Sequence, residues 1–119
     1  MRLLTAVSFL FCVVAPAITD AADVENGKAL YQACVACHTE KPEAMGPSLR
    51  GVFGRKSAAL DDFHYSNPMK RANLVWDEAN LRAYIMDPQG KVKGNRMPFS
   101  GLREAKDVDD VVAYLRTFK

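Results

Sequence analysis

An all-α fold with long wrapping loops is what this sequence predicts, and three observations carry that expectation. Apolar residues recur at helical spacing in three stretches, and no strand-like alternation runs far enough to build a sheet. The loops between them are rich in glycine, proline and polar residues, and are too long for a compact domain unless they enclose something. Finally, the first helical stretch runs into Cys34-Val35-Ala36-Cys37-His38. That spacing sets two thiols about one helical turn apart, so each can form a thioether to one vinyl group of a single porphyrin. The histidine directly after the second thiol then lies under the ring and can bond the iron. The expected architecture is three main helices with loops wrapped around one covalently attached haem c.

Two other readings of the pentapeptide compete with this one. A thioredoxin-type redox pair sits at the start of a helix after a buried strand, and no β-branched run precedes Cys34. A zinc site needs further ligands, and only His64 remains once the motif and Cys12 are set aside.

From the N-terminus, Met1-Arg2 carries positive charge and Leu3 to Val14 is apolar apart from Thr5 and Ser8. Small residues and a helix breaker follow in Ala15-Pro16-Ala17-Ile18-Thr19-Asp20-Ala21. This is the order of a secretory signal, and residues 1–21 are expected to be cleaved after Ala21. The apolar run, about a dozen residues, falls short of the ~20 that span a bilayer as a helix. Cys12 belongs to the discarded segment, so Cys34 and Cys37 are the thiols that remain and no structural disulfide is expected. Haem attachment outside the cytoplasm follows, in the periplasm if the source is bacterial. Residues 22–119 then form a single small domain. The formal net charge of +2 excludes no class of partner, and it does not support nucleic-acid binding, which usually needs a concentrated basic patch.

Asp23-Val24-Glu25-Asn26 caps the first helix, with Gly27, Leu30 and Tyr31 on one face leading into the thiol motif. The chain from Lys41 to about Asn73 reads as loop, with Met45-Gly46-Pro47 and Gly51-Val52-Phe53-Gly54 as its punctuation. Asp77 to Met86 reads as a second helix, Leu81, Tyr84 and Ile85 facing inward and Asp87-Pro88 ending it. Gln89 to Gly101 is again expected to be loop. The last helix runs from about Arg103 to Phe118, with Val108, Val111, Val112 and Leu115 at helical spacing.

Taken in order, Gly27…Tyr31, Cys34-x-x-Cys37-His38, Gly46-Pro47, Gly54-Arg55-Lys56, Tyr65-Ser66, Trp76, Leu81-x-x-Tyr84, Met97-x-Phe99-x-Gly101 and Ala113-Tyr114-Leu115 resemble class I cytochrome c. The mitochondrial type and its bacterial periplasmic counterparts are the nearest likeness, and the similarity covers nearly all of residues 22–119. It implies the cytochrome c fold, one haem, and service as a soluble one-electron carrier rather than an enzyme. Its implied partners are membrane or periplasmic redox proteins: a cytochrome bc1-type donor, and an oxidase, reductase or reaction-centre acceptor. These would meet a monomeric carrier in transient electrostatic complexes, with Lys28, Lys91, Lys93 and Arg96 as the steering charges.

The resemblance also assigns roles to residues. His38 and Met97 are the implied iron ligands. Met97 is followed by Pro98 in a loop bracketed by Gly94 and Gly101, where no core stripe explains a methionine. Met45, Met69, Met86 and His64 are the competing ligands, and Met86 at a helix end reads more simply as core filler. Pro47 resembles the proline whose carbonyl accepts the proximal histidine N–H, though a plain turn proline would also suit the position. Arg55, Tyr65, Ser66 and Trp76 match donors to the haem propionates, while Tyr84 and Phe99 line the ring. Met69 stands where family members usually carry an asparagine, and Lys93 replaces a common proline before Gly94. Both departures imply a looser Met97 loop and easier displacement of Met97 at high pH.

Overall fold

A computed structural model describes residues 10–15 and 21–119. The parts of the expected leader at residues 1–9 and 16–20 lie outside the described residues. Five helices follow in order: α1 (Val24–Val35), α2 (Asn67–Arg71), α3 (Glu78–Met86), α4 (Pro88–Lys91) and α5 (Ala105–Thr117). The three long ones are those the periodicity predicts. The two short ones correct the reading of residues 41–73 and 89–101 as pure loop. α2 begins where the Ser66 hydroxyl accepts the Met69 N–H and Pro68 occupies the first turn. α4 begins where the Asp87 carboxylate accepts the Gly90 N–H, with Pro88 directly behind it. The last helix starts at Ala105, two residues later than expected, because Arg103 and Glu104 remain outside it.

The core forms where α1 crosses α5. A Cβ at Gly27 would stand 1.9 Å from the Asp110 carbonyl oxygen and 3.0 Å from Tyr114 Cβ, so only glycine lets these backbones approach. Tyr31, one turn further on, packs its ring 5.1 Å from that of Tyr114 and 5.4 Å from that of Phe118. Val52, Trp76, Leu81, Val108, Val111, Val112 and Leu115 complete the buried cluster. Asp110 is fully buried in the same crossing, where it accepts the Asp23 amide at 2.7 Å, Asn26 Nδ2 at 2.7 Å and Lys106 Nζ at 2.9 Å. α3 is tied to α5 at the surface by Arg82–Asp109 at 2.6 Å and Arg116–Glu78 at 3.0 Å. Among the described residues no helix is long and apolar enough to cross a membrane.

Candidate haem site

α1 delivers the thiol motif. Cys34 lies in its last turn, and the Cys37 and His38 amides both donate to the Cys34 carbonyl, at 3.1 and 3.0 Å. The second of these bonds has α-helical spacing, so Cys34 and His38 stay on one face. Both thiols are free and half-buried, and burial pushes the Cys34 thiol pKa up. Their place at the end of a helix removes the N-terminal dipole that activates a thioredoxin-type pair. No three His, Cys, Asp or Glu side chains gather to hold a metal ion among the described residues, so the zinc reading finds no ligand set.

The loop after the motif folds back on it. Gly46 N–H donates to the Cys37 carbonyl at 3.0 Å, which brings Pro47 beside the imidazole. His38 is buried, with Nδ1 2.6 Å from the Pro47 carbonyl oxygen. A carbonyl can only accept, so Nδ1 carries the proton and the lone pair available to a metal is on Nε2. Burial lowers the His38 pKa against the opposing pull of the Pro47 bond, which favours the neutral, ligating form. A Cβ at Gly46 would stand 2.5–2.9 Å from three atoms of the imidazole ring.

A second group assembles around Arg55 and Trp76. The chain at 54–57 runs antiparallel to that at 74–76 around the Lys56–Val75 bridge. Trp76 N–H donates to the Arg55 carbonyl and Gly54 N–H to the Trp76 carbonyl, both at 2.8 Å. The Arg55 guanidinium donates to the Ser48 carbonyl at 2.7 Å and the Arg50 carbonyl at 3.2 Å, while its buried Nε has no hydrogen-bond partner. Trp76 is buried with its ring 5.1 Å from that of Tyr84, whose phenol burial pushes up to about 12. The Tyr65 hydroxyl accepts the Leu60 amide at 3.2 Å, and the Ser66 hydroxyl caps α2. Each of these hydroxyls keeps its own proton to donate.

Met97 is half-buried in the segment between α4 and α5, and so is Phe99. Gly94 (φ +86°) faces Pro68 of α2, where a Cβ would come within 3.1 Å of its ring, and the Arg96 guanidinium donates to the His64 carbonyl. Gly101 (φ +104°) sits against the Met86 carbonyl, and the Leu102 amide donates to the Ile85 carbonyl at 2.9 Å. Of the competing ligands, Met45 is 70% exposed and His64 is exposed, while Met69 is packed by α2 against the core. Met86 is 40% exposed, which corrects its reading as core filler: the helix turns its last residue outward. Lys28, Lys91, Lys93 and Arg96 are all exposed. Asn95 and Gln89, which brace this segment, were not legible in sequence, because Gly94-Asn95 reads as an ordinary turn.

These residues fit a haem. Two free thiols and an oriented neutral imidazole lie on five consecutive positions, and half-buried Arg55 keeps a buried, unpartnered Nε–H for an anion. Comparison with known proteins agrees. The family model described as cytochrome c matches residues 24–119. Cytochrome c2 from Blastochloris viridis is 36% identical, over 98% of this chain and 93% of that protein. Cytochrome c2 from Rhodoblastus acidophilus is 43% identical, over 83% of this chain and 95% of its own length. The solved structure of cytochrome cH from Methylobacterium extorquens superposes with a TM-score of 0.76 at 38% identity, covering 81% of this chain and 99% of that one. By sequence, fold and the haem-binding motif that α1 presents, this chain belongs to the cytochrome c family.

Proposed function

We propose that this protein is an exported, soluble one-electron carrier with His38 and Met97 as the axial ligands of its haem. The observation that carries the reading is the His38–Pro47 contact at 2.6 Å, which orients an imidazole immediately after the thiol pair. Bound through Cys34 and Cys37, haem supplies one iron that alternates between two oxidation states one electron apart. Pro47 holds the His38 proton on Nδ1 and makes the ring a better donor through its other nitrogen. Gly46 leaves the space this geometry needs. Met97 supplies a soft, neutral sulfur, which favours the ferrous state. With His38 and Met97 both bound, the iron would keep no open position for a substrate, which supports a carrier rather than an enzyme. Arg55, Tyr65, Ser66 and Trp76 would donate to the propionates, whose burial is costly without such partners. Tyr84 and Phe99 close the ring into an apolar pocket.

Residues 1–21 serve as the secretory signal and 22–119 work in the periplasm as a monomer. Partners are redox proteins met in transient complexes, a bc1-type donor and an oxidase, reductase or reaction-centre acceptor, drawn to exposed Lys28, Lys91 and Lys93. The likeness to proteins named cytochrome c2 and cytochrome cH supports the electron-carrier reading. Optical spectra of the purified protein, oxidised and reduced, test it. The expected result is c-type bands with the weak red sulfur-to-iron band. Haem bands without the sulfur band, together with rapid carbon monoxide binding, would move the assignment to an open-site enzyme or sensor.

A further inference from the structure

The segment that carries Met97 has neither helix nor strand of its own, and one buried side chain organises its backbone. Asn95 is 8% exposed. Its Nδ2 donates to the Pro88 and Val92 carbonyls, each at 2.9 Å, the first residue and the C-terminal cap of α4. Its Oδ1 accepts the Met97 amide at 2.8 Å. The carboxamide of Gln89 adds an outer brace, donating to the Asn95 carbonyl at 2.9 Å and accepting the Gly94 amide at 3.0 Å. Such a site requires two N–H donors and one acceptor on a short planar group. Aspartate has no donor, serine and threonine have one, and leucine has neither donor nor acceptor.

We propose that Asn95 is a positioning residue for Met97, its buried carboxamide tying the Met97 backbone to α4 so that the thioether stays in place as an iron ligand. This rests on the reading of Met97 as the sixth ligand. The physical argument is one of competition. A thioether is a neutral ligand that external ligands can replace, and its advantage is that it is already held in place. Release of the Met97 amide from Asn95 gives the segment alternative conformations, most of which carry the sulfur away. Truncation at Asn95 would also reduce the Pro88 and Val92 carbonyls from two donors each to the backbone N–H of Val92 and of Asn95 respectively, so the α4 end of the tie is lost while the α4 backbone stays bonded.

The test is displacement of Met97 in the ferric holoprotein by imidazole, followed at the red sulfur-to-iron band, beside thermal unfolding of the same samples. Asn95→Leu removes all three side-chain bonds at similar volume, and imidazole should displace Met97 at about tenfold lower concentration. Gln89→Leu alters an exposed side chain outside the core and should give about a threefold shift in the same direction. It carries the test if Asn95→Leu does not fold. Val108→Ala, a core truncation in α5, is the control that lowers thermal stability without touching the segment. Equal imidazole sensitivity in the wild type and the folded position-95 or position-89 variants, with only the unfolding temperature lowered, would reduce Asn95 to a structural residue and overturn the proposal. Absence of the sulfur band from the unaltered protein would overturn the ligand assignment itself, and the proposal with it.

Discussion

A hydrogen atom where other residues carry a side chain is what lets the Pro47 carbonyl reach His38. Alanine at position 46 would place a methyl group 2.5 Å from Cε1 of the imidazole, and either the ring must tilt or residues 46 and 47 must move away. Small-to-large changes of this kind cost about 1–3 kcal/mol, and each kcal/mol lowers the midpoint of a domain this size by roughly 4–8 °C. Gly46→Ala should therefore unfold about 5–20 °C below the unaltered holoprotein and shift the NMR resonance of the His38 Nδ1 proton. An unchanged resonance would mean that the loop yields freely and that Pro47 does not orient the ring. At this scale, legibility follows the kind of chemistry involved. Thioether attachment needs specific side chains at fixed spacing, so Cys34, Cys37 and His38 are plain in the sequence. The Pro47 contact uses a backbone carbonyl, which any residue could offer, and only resemblance to a family points to it. Asn95 carries no signal at all, because an asparagine after glycine in a loop is what a turn contains.

Among the elements, the crossing of α1 and α5 determines how the thiol motif is presented, and Asp110 fastens it. The Asp23 amide, Asn26 and Lys106 together stabilise the carboxylate and pull its pKa from an ordinary 3.8 down to about 2. The folded protein thus holds fewer protons on Asp110 than the unfolded chain does in this range. Its contribution is fully present above about pH 4 and is lost as pH falls through about 2. Exposed Glu40, lowered by hydrogen bonds from Arg50 and Ser48, acts in the same direction but is screened by solvent. Asp110→Asn should lower stability at pH 7 and flatten the loss between pH 4 and 2, as read from urea unfolding at a series of pH values. An acid limb as steep as that of the unaltered protein would assign acid sensitivity to other groups. The long helices were legible because each has enough turns to show a repeated apolar face. α2 and α4, at five and four residues, do not, and their signals are the Ser66 and Asp87 caps with a proline just inside.

At the scale of the whole molecule, the apolar core is smaller than the chain it must organise. Among the described residues eight buried side chains form the main cluster, and they lie in α1, α3, α5 and the Val52 and Trp76 positions of the loops. The stretch between Phe53 and α2, and the segment carrying Met97, lie outside that cluster. For a domain of this length such a core balances ordering entropy only narrowly. The long loops were readable as wrapping something because structureless runs of this length are seldom stable in a compact domain. Their paths were not readable, since they depend on single contacts such as Gly94 against Pro68 and Arg96 on the His64 carbonyl. A covalently held porphyrin supplies the missing apolar surface and ties Cys34 and Cys37 to one rigid body. Replacing both thiols, as Cys34→Ser with Cys37→Ser, should therefore do more than remove colour. The haem-free chain should lose most of its helical far-UV signal at 25 °C and unfold without a cooperative transition, whereas the unaltered holoprotein melts sharply. A haem-free variant with native helical signal and a sharp transition would show that the α1–α5 crossing and its Asp110 tie are sufficient to fold the chain, with haem bound to a scaffold already formed.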